Sequence, residues 1–160
     1  MPRELEGWRS LQGRGPDGSI ESDQRVTIAR PIVDESEAGA RRLGERYWAA
    51  VARGARGLVR PRETGRGVEL RLTGRGPCLL RFGPAEPEHE GRRASCSFPI
   101  RGGLLARKAA GAICLSQTPG ELRAAVTGFV PRLGALYGIQ RRLHVAVSRR
   151  YFRSLLEEAS

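Results

Sequence analysis

Histidine is scarce in this chain: His89 and His144 are the only two in 160 residues. A three-histidine metal site is therefore excluded, and neither a CxxC pair nor the spacing of a zinc finger occurs. Cysteine is also sparse. Cys78, Cys96 and Cys114 make an odd number, which argues against a disulfide framework and for a reducing, cytoplasmic setting. Long apolar runs are missing: AAGAICL, at 109 to 115, is far too short to cross a bilayer, and MPRELEGWRS lacks the apolar core of a secretory leader. Neither GxxxxGK[ST] nor GxGxxG is present, so Gly102 and Gly103 read as a turn that needs positive φ, not as a phosphate cradle. Aromatic residues make up only 6% of the chain, too few for an obvious base-stacking platform.

What is abundant is arginine. Lys108 is the only lysine among 28 basic residues, against 17 acidic ones, for a net charge of +11. Such a charge suits nucleic acid, an anionic surface or an acidic partner. A GC-rich coding bias produces the same enrichment in Arg, Gly, Ala and Pro, and the arginines are dispersed instead of clustered in one basic arm.

Residues 1 to 24 mix glycine, proline and acidic residues without an apolar period, and are expected to form a flexible arm; residues 25 to 160 are expected to form a single α+β domain. VTIARPIV predicts a short strand near 25 to 30 that ends around Pro31. DESEAGARRLGERYWAAVARG predicts an amphipathic helix with Asp34 or Ser36 as N-cap. Ala40, Leu43, Tyr47 and Val51 share its apolar face, and Trp48 sits on its flank.

The period then shortens to two. VELRL and CLLRF alternate as half-buried antiparallel strands, punctuated by ETGRG, TGRGP and the acidic PAEPEHEG before RRASCSFPI. Alternation sets Cys78 inward with Leu80 and Phe82, and Cys96 inward with Ala94, Phe98 and Ile100, as small core residues. His89, in EPEHE, reads as part of a solvated hairpin tip and not as a metal ligand. RRAS resembles a basophilic kinase target, but Ser95 on a strand would be a poor substrate. TPGE, at 118 to 121, has the form of a capping box, so a helix is expected over Leu122, Ala125, Val126, Phe129 and Leu133, kinked or broken near Pro131 and resuming to Glu158. The expected fold is thus an antiparallel sheet of about five to seven strands packed against a long, kinked C-terminal helix, with one amphipathic helix before the meander.

The order of strand, helix with RYWAAV, meander and TPGELRAAVTGFVPRL resembles the helix-grip fold of the START-like or polyketide-cyclase-like superfamily over about residues 25 to 136. That resemblance implies a curved sheet wrapped around a C-terminal helix and a cavity for a small, largely apolar molecule that is bound, transported or, in some members, cyclised. The polar and aromatic residues placed for such a cavity are Tyr47, Trp48, Phe98, Gln140, His144 and Tyr151. No catalytic residue, metal site or cofactor is assigned. A second reading is a nucleic-acid or anionic-surface binder using Arg60, Arg71 and Arg81 on the sheet and Arg142, Arg149, Arg150 and Arg153 on the last helix. A third is a non-enzymatic interaction subunit or homodimer joined through the arm and an open sheet edge.

Overall fold

The computed structural model describes residues 5–73, 76–132 and 134–159, with residues 134–136 described by their backbone alone. The chain is α+β. Among the described residues nine strands form an antiparallel sheet, more than the five to seven expected, and two helices pack against it.

The additional strands begin in the segment expected to be a flexible arm, of which residues 1–4 lie outside the described residues. β1 (Arg9–Arg14) and β2 (Ile20–Thr27) pair as a hairpin, and β2 continues into the sheet by pairing with β9 (Glu121–Phe129). The alternation was hidden because the inward residues of β2 are Ile20, Ser22, Gln24 and Val26, two of them polar, yet all four are buried. The strand ends at Thr27, before the limit read from Pro31.

Helix α1 (Glu37–Gly54) forms where the apolar spacing predicts it. Ser36 is its N-cap: its Oγ accepts a hydrogen bond from the Gly39 amide at 3.1 Å, satisfying one of the free N–H groups of the first turn. Ala40, Leu43, Tyr47 and Val51 are all buried. Trp48 is not a flank residue. Its ring lies 5.0 Å from that of Phe82 and 5.1 Å from that of Phe98, within the core.

The meander comprises β3 (Val59–Thr64), β4 (Gly67–Leu72), β5 (Cys78–Phe82), β6 (Glu86–Glu90), β7 (Arg93–Gly102) and β8 (Ala112–Thr118). Its path runs β1-β2-β9-β8-β7-β5-β4-β3, with β6 also paired to β7. EPEHE is thus a strand and not a hairpin tip, with His89 exposed on it and its Nε2 2.8 Å from the Gly91 carbonyl oxygen. Of the TGRGP turn, residues 74 and 75 lie outside the described residues.

TPGE is not a helix cap. Thr118 pairs with Glu121 across a tight turn, with Pro119 and Gly120 between them and Gly120 at φ +89°. Proline followed by a glycine in the left-handed region is turn chemistry, and no right-handed helix can pass through that φ. Residues 121–129 therefore form the strand β9 where a helix was expected. The C-terminal helix α2 (Gly134–Glu158) begins only after Pro131, which instead bridges to Ala106. Pro131 thus lies outside the helix and cannot kink it. Leu133 lies outside the described residues.

Both helices lie on one face of the sheet. α1 packs on β3, β6, β7 and β8, while α2 packs on α1 and reaches β2. A single apolar cluster joins the layers, running from Val26 and Leu122 through Tyr47 and Phe98 to Val147, Phe152 and Leu155.

Candidate functional site

Between the sheet and the N-terminal half of α2 lies a cavity of about 150 Å³. Its walls are mainly carbon: Ile113, Val126 and Phe129 from β8 and β9, Leu80 and Phe82 from β5, and Val147 from α2. A bulge shapes one wall. β4 and β5 shift register between Leu70 and Arg71, so Leu70 faces Leu80 while Arg71 faces Cys78. The extra residue, Leu79, turns towards the cavity alongside Leu80.

The same bulge reverses the expected orientation of Cys78. It shares the outer face with Arg71, and its Sγ lies 3.5 Å from the Leu80 carbonyl oxygen. Burial, reinforced by Glu69, raises its thiol pKa in spite of Arg71 and Arg81. Cys96 occupies the core position expected of it, fully enclosed, and burial pushes its thiol up to about 11. Neither environment creates a thiolate at neutral pH. Cys114 is half-buried on β8.

Four of the six residues placed for a ligand cavity line it: Tyr47, Trp48, Gln140 and His144. The Tyr47 hydroxyl stands 3.4 Å from His144 Nδ1, a long hydrogen bond joining α1 to α2. Burial lowers the His144 pKa to about 4, so the ring is neutral at pH 7. Burial likewise raises the Tyr47 pKa, keeping the phenol protonated. His144 Nε2 and Trp48 Nε1 are closed off from solvent without a hydrogen-bond partner among the described residues. Among the described residues the one side-chain hydrogen-bond partner of this histidine is the Tyr47 phenol. The other two residues are used elsewhere. Tyr151 donates its hydroxyl to the Leu43 carbonyl at 2.9 Å, pinning α2 to α1, and Phe98 packs against Trp48 on the side of β7.

Residues absent from the sequence reading complete the site. Ser22 Oγ accepts from both Gln12 Nε2 and Gln24 Nε2 at 3.1 Å, and Tyr137 donates to Gln12 Oε1 at 3.4 Å. This polar ladder crosses from β2 through the edge strand β1 to α2. Ile20, Gln12 and Ser22 were assigned to a flexible arm, so only an inward alternation through polar residues could have revealed them.

The seven arginines of the nucleic-acid reading do not converge. Arg60 and Arg71 pair across β3 and β4, and Arg81 faces Glu69 on the same side, away from the helices. Arg71 is also held by Glu69 at 2.9 Å. Arg142, Arg149 and Arg150 are exposed on α2, which covers the opposite face, and Arg149 lies 5.6 Å from the Trp8 ring. Arg153 is half-buried with its Nε unpartnered. Elsewhere on the outer face Asp23 is clasped by Arg25 and Arg123, so positive charge there is partly neutralised. Burial works to raise the Asp23 pKa, but those two guanidinium groups outweigh it and hold the carboxyl low.

No helix among the described residues is long and apolar enough to cross a membrane. A scan against protein-family models finds no match, and a search of curated proteins finds none either.

Proposed function

We propose that this protein binds a small, largely apolar molecule in the cavity between the sheet and α2. The carrying observation is the cavity itself: about 150 Å³ walled by aliphatic and aromatic side chains, with its few polar groups near α2 and β1. Apolar cavities of about this volume take up molecules the size of benzene. At about 24 cal/mol per Å³, an apolar occupant of the whole space would contribute on the order of 3–4 kcal/mol. The resemblance in element order to helix-grip proteins belongs to this reading. It is supported by the antiparallel order of the sheet and by the long C-terminal helix laid across the face that carries the cavity. The reading is of binding or transport; no reaction is assigned.

Thermal unfolding in the presence of benzene, naphthalene and short alkanes tests the reading. At least one should raise the melting temperature of the native chain. In Val126→Phe, which extends a ring into the cavity from β9, that rise should shrink or vanish. The absence of any shift at saturating concentration of every compound would sink the proposal.

A further inference from the structure

Two residues that line the cavity, Gln12 on β1 and Arg141 on α2, are exposed, which sets a mouth of the cavity where β1 comes against the first turns of α2. Gln12 and Arg14 lie on the same face of β1, two residues apart, the face that α2 covers. Arg14 stacks its guanidinium 5.8 Å from the centre of the Tyr137 ring. Tyr137 lines the cavity and is tied to Gln12 through its hydroxyl. Arg141, one helical turn further along α2 and on the same side, also lines the cavity. Both arginines are exposed, and both act electrostatically on the Tyr137 phenol, opposing the effect of its partial burial.

Among the described residues eight arginines, Arg9, Arg25 and Arg123 included, are engaged by carboxylates, so what sets Arg14 and Arg141 apart is their place beside the cavity. Among the described residues no carboxylate pairs with Arg14 or Arg141. The nearest acid in register, Glu21, lies opposite Gly13 and so projects from the other face of the hairpin. Two uncompensated guanidinium groups thus stand at the wet end of a hydrocarbon-walled cavity. Guanidinium favours anionic oxygens because its planar fork can donate two parallel hydrogen bonds to them.

We infer that the ligand is an anionic amphiphile whose apolar body enters the cavity and whose carboxylate or phosphate head is held at the mouth by Arg14 and Arg141. This rests on the reading of the cavity as a binding site and adds the chemical class of its occupant. A neutral hydrocarbon satisfies the walls but makes no contact that uses the two guanidinium groups. A zwitterionic or cationic head brings positive charge against them.

Calorimetric titration with octanoate, octyl phosphate and octanol separates the possibilities, since the three share one tail. An anionic probe should bind about tenfold or more tightly than octanol at low salt, and that ratio should decrease as sodium chloride is raised. Whichever anion shows the larger ratio identifies the head. In the double variant Arg14→Gln, Arg141→Gln the ratio should drop towards one. Arg14→Lys, Arg141→Lys should retain part of it, and Arg142→Gln, exposed on α2 and outside the cavity lining, should retain all of it. Equal binding of octanol and both anions to the native chain would overturn the assignment of the head while leaving the cavity reading intact. A preference that survives the double glutamine variant would overturn the role of these two arginines. Failure of all three probes to bind, with no thermal shift from the neutral compounds, would remove the cavity reading itself.

Discussion

At the scale of single residues, the buried amide of Gln117 holds the connection between β2 and α1. Its Oε1 accepts from the amides of Ile32 at 2.7 Å and Val33 at 3.0 Å, and its Nε2 donates to the Val33 carbonyl at 3.0 Å. Gln117→Leu keeps a similar volume but strands all three backbone groups in the interior. Urea unfolding should show a loss on the order of 2–4 kcal/mol; a loss well below about 1 kcal/mol would mean that water or another side chain satisfies them. His144 makes a prediction of a different kind. Its folded-state pKa, about 4, lies below the ordinary value of 6.5, so the unfolded chain binds the proton more readily. Its contribution is therefore fully present above pH 6.5 and lost as pH falls from there towards 4. At about 1.4 kcal/mol per pKa unit the full loss is on the order of 3–4 kcal/mol. His144→Phe should flatten that part of the stability profile, as measured by urea unfolding at a series of pH values. An unchanged slope would show that other groups govern it. His144 was legible in the sequence because a polar residue on an apolar helical face demands an explanation. Gln117, Gln12 and Ser22 were not, since a polar residue within a strand pattern reads as solvent-facing until its neighbours in space are known.

At the scale of elements, α1 approaches β7 closely because Gly44 has no side chain. A Cβ there would lie 2.8 Å from Phe98 Cζ and 2.9 Å from Cys96 Sγ. In Gly44→Ala the overpacking, about 1–3 kcal/mol, should exceed the helix-propensity gain of about 1 kcal/mol and destabilise the protein. Gly138, on α2, has nothing among the described residues within 4 Å of the same added atom. Gly138→Ala should therefore stabilise by about 0.5–1 kcal/mol. Opposite signs for one chemical change, measured by denaturant unfolding, would test both helix placements. α1 was legible from its apolar spacing and its acidic start, with Ser36 resolving the choice of cap. β9 was not: LRAAVTGF suits period two as well as 3.6, and TPGE reads as either a cap or a turn. The left-handed backbone at Gly120 decides for the turn, and the need to pair β2 with β8 on either side of β9 decides for the strand.

At the scale of the whole molecule, the excess of positive charge has a measurable cost. With 28 basic and 17 acidic residues, repulsion in the compact state is expected to exceed what its ion pairs return. Raising ionic strength from about 0.01 to about 0.15 M shortens the screening length from about 30 to about 8 Å. The melting temperature should rise by a few degrees, about 2–4 °C for each kcal/mol relieved in a chain of this size. A fall would mean that pairs such as Asp23 with Arg25 and Arg123 contribute more than the net repulsion removes. The α+β class and the long C-terminal helix were visible from composition and period. The final strand count was not, because it depends on the N-terminal hairpin finding a partner distant in sequence. Val26, on β2, pairs with Leu122, on β9. During synthesis the hairpin must wait for nearly the whole sheet to be made, and the closure it awaits is a large loop. Chains dominated by such distant pairings fold in milliseconds to seconds, far more slowly than helical bundles. Until β9 arrives, β2 has an open border, and the interval before closure is when this chain is most exposed to pairing with the wrong neighbour.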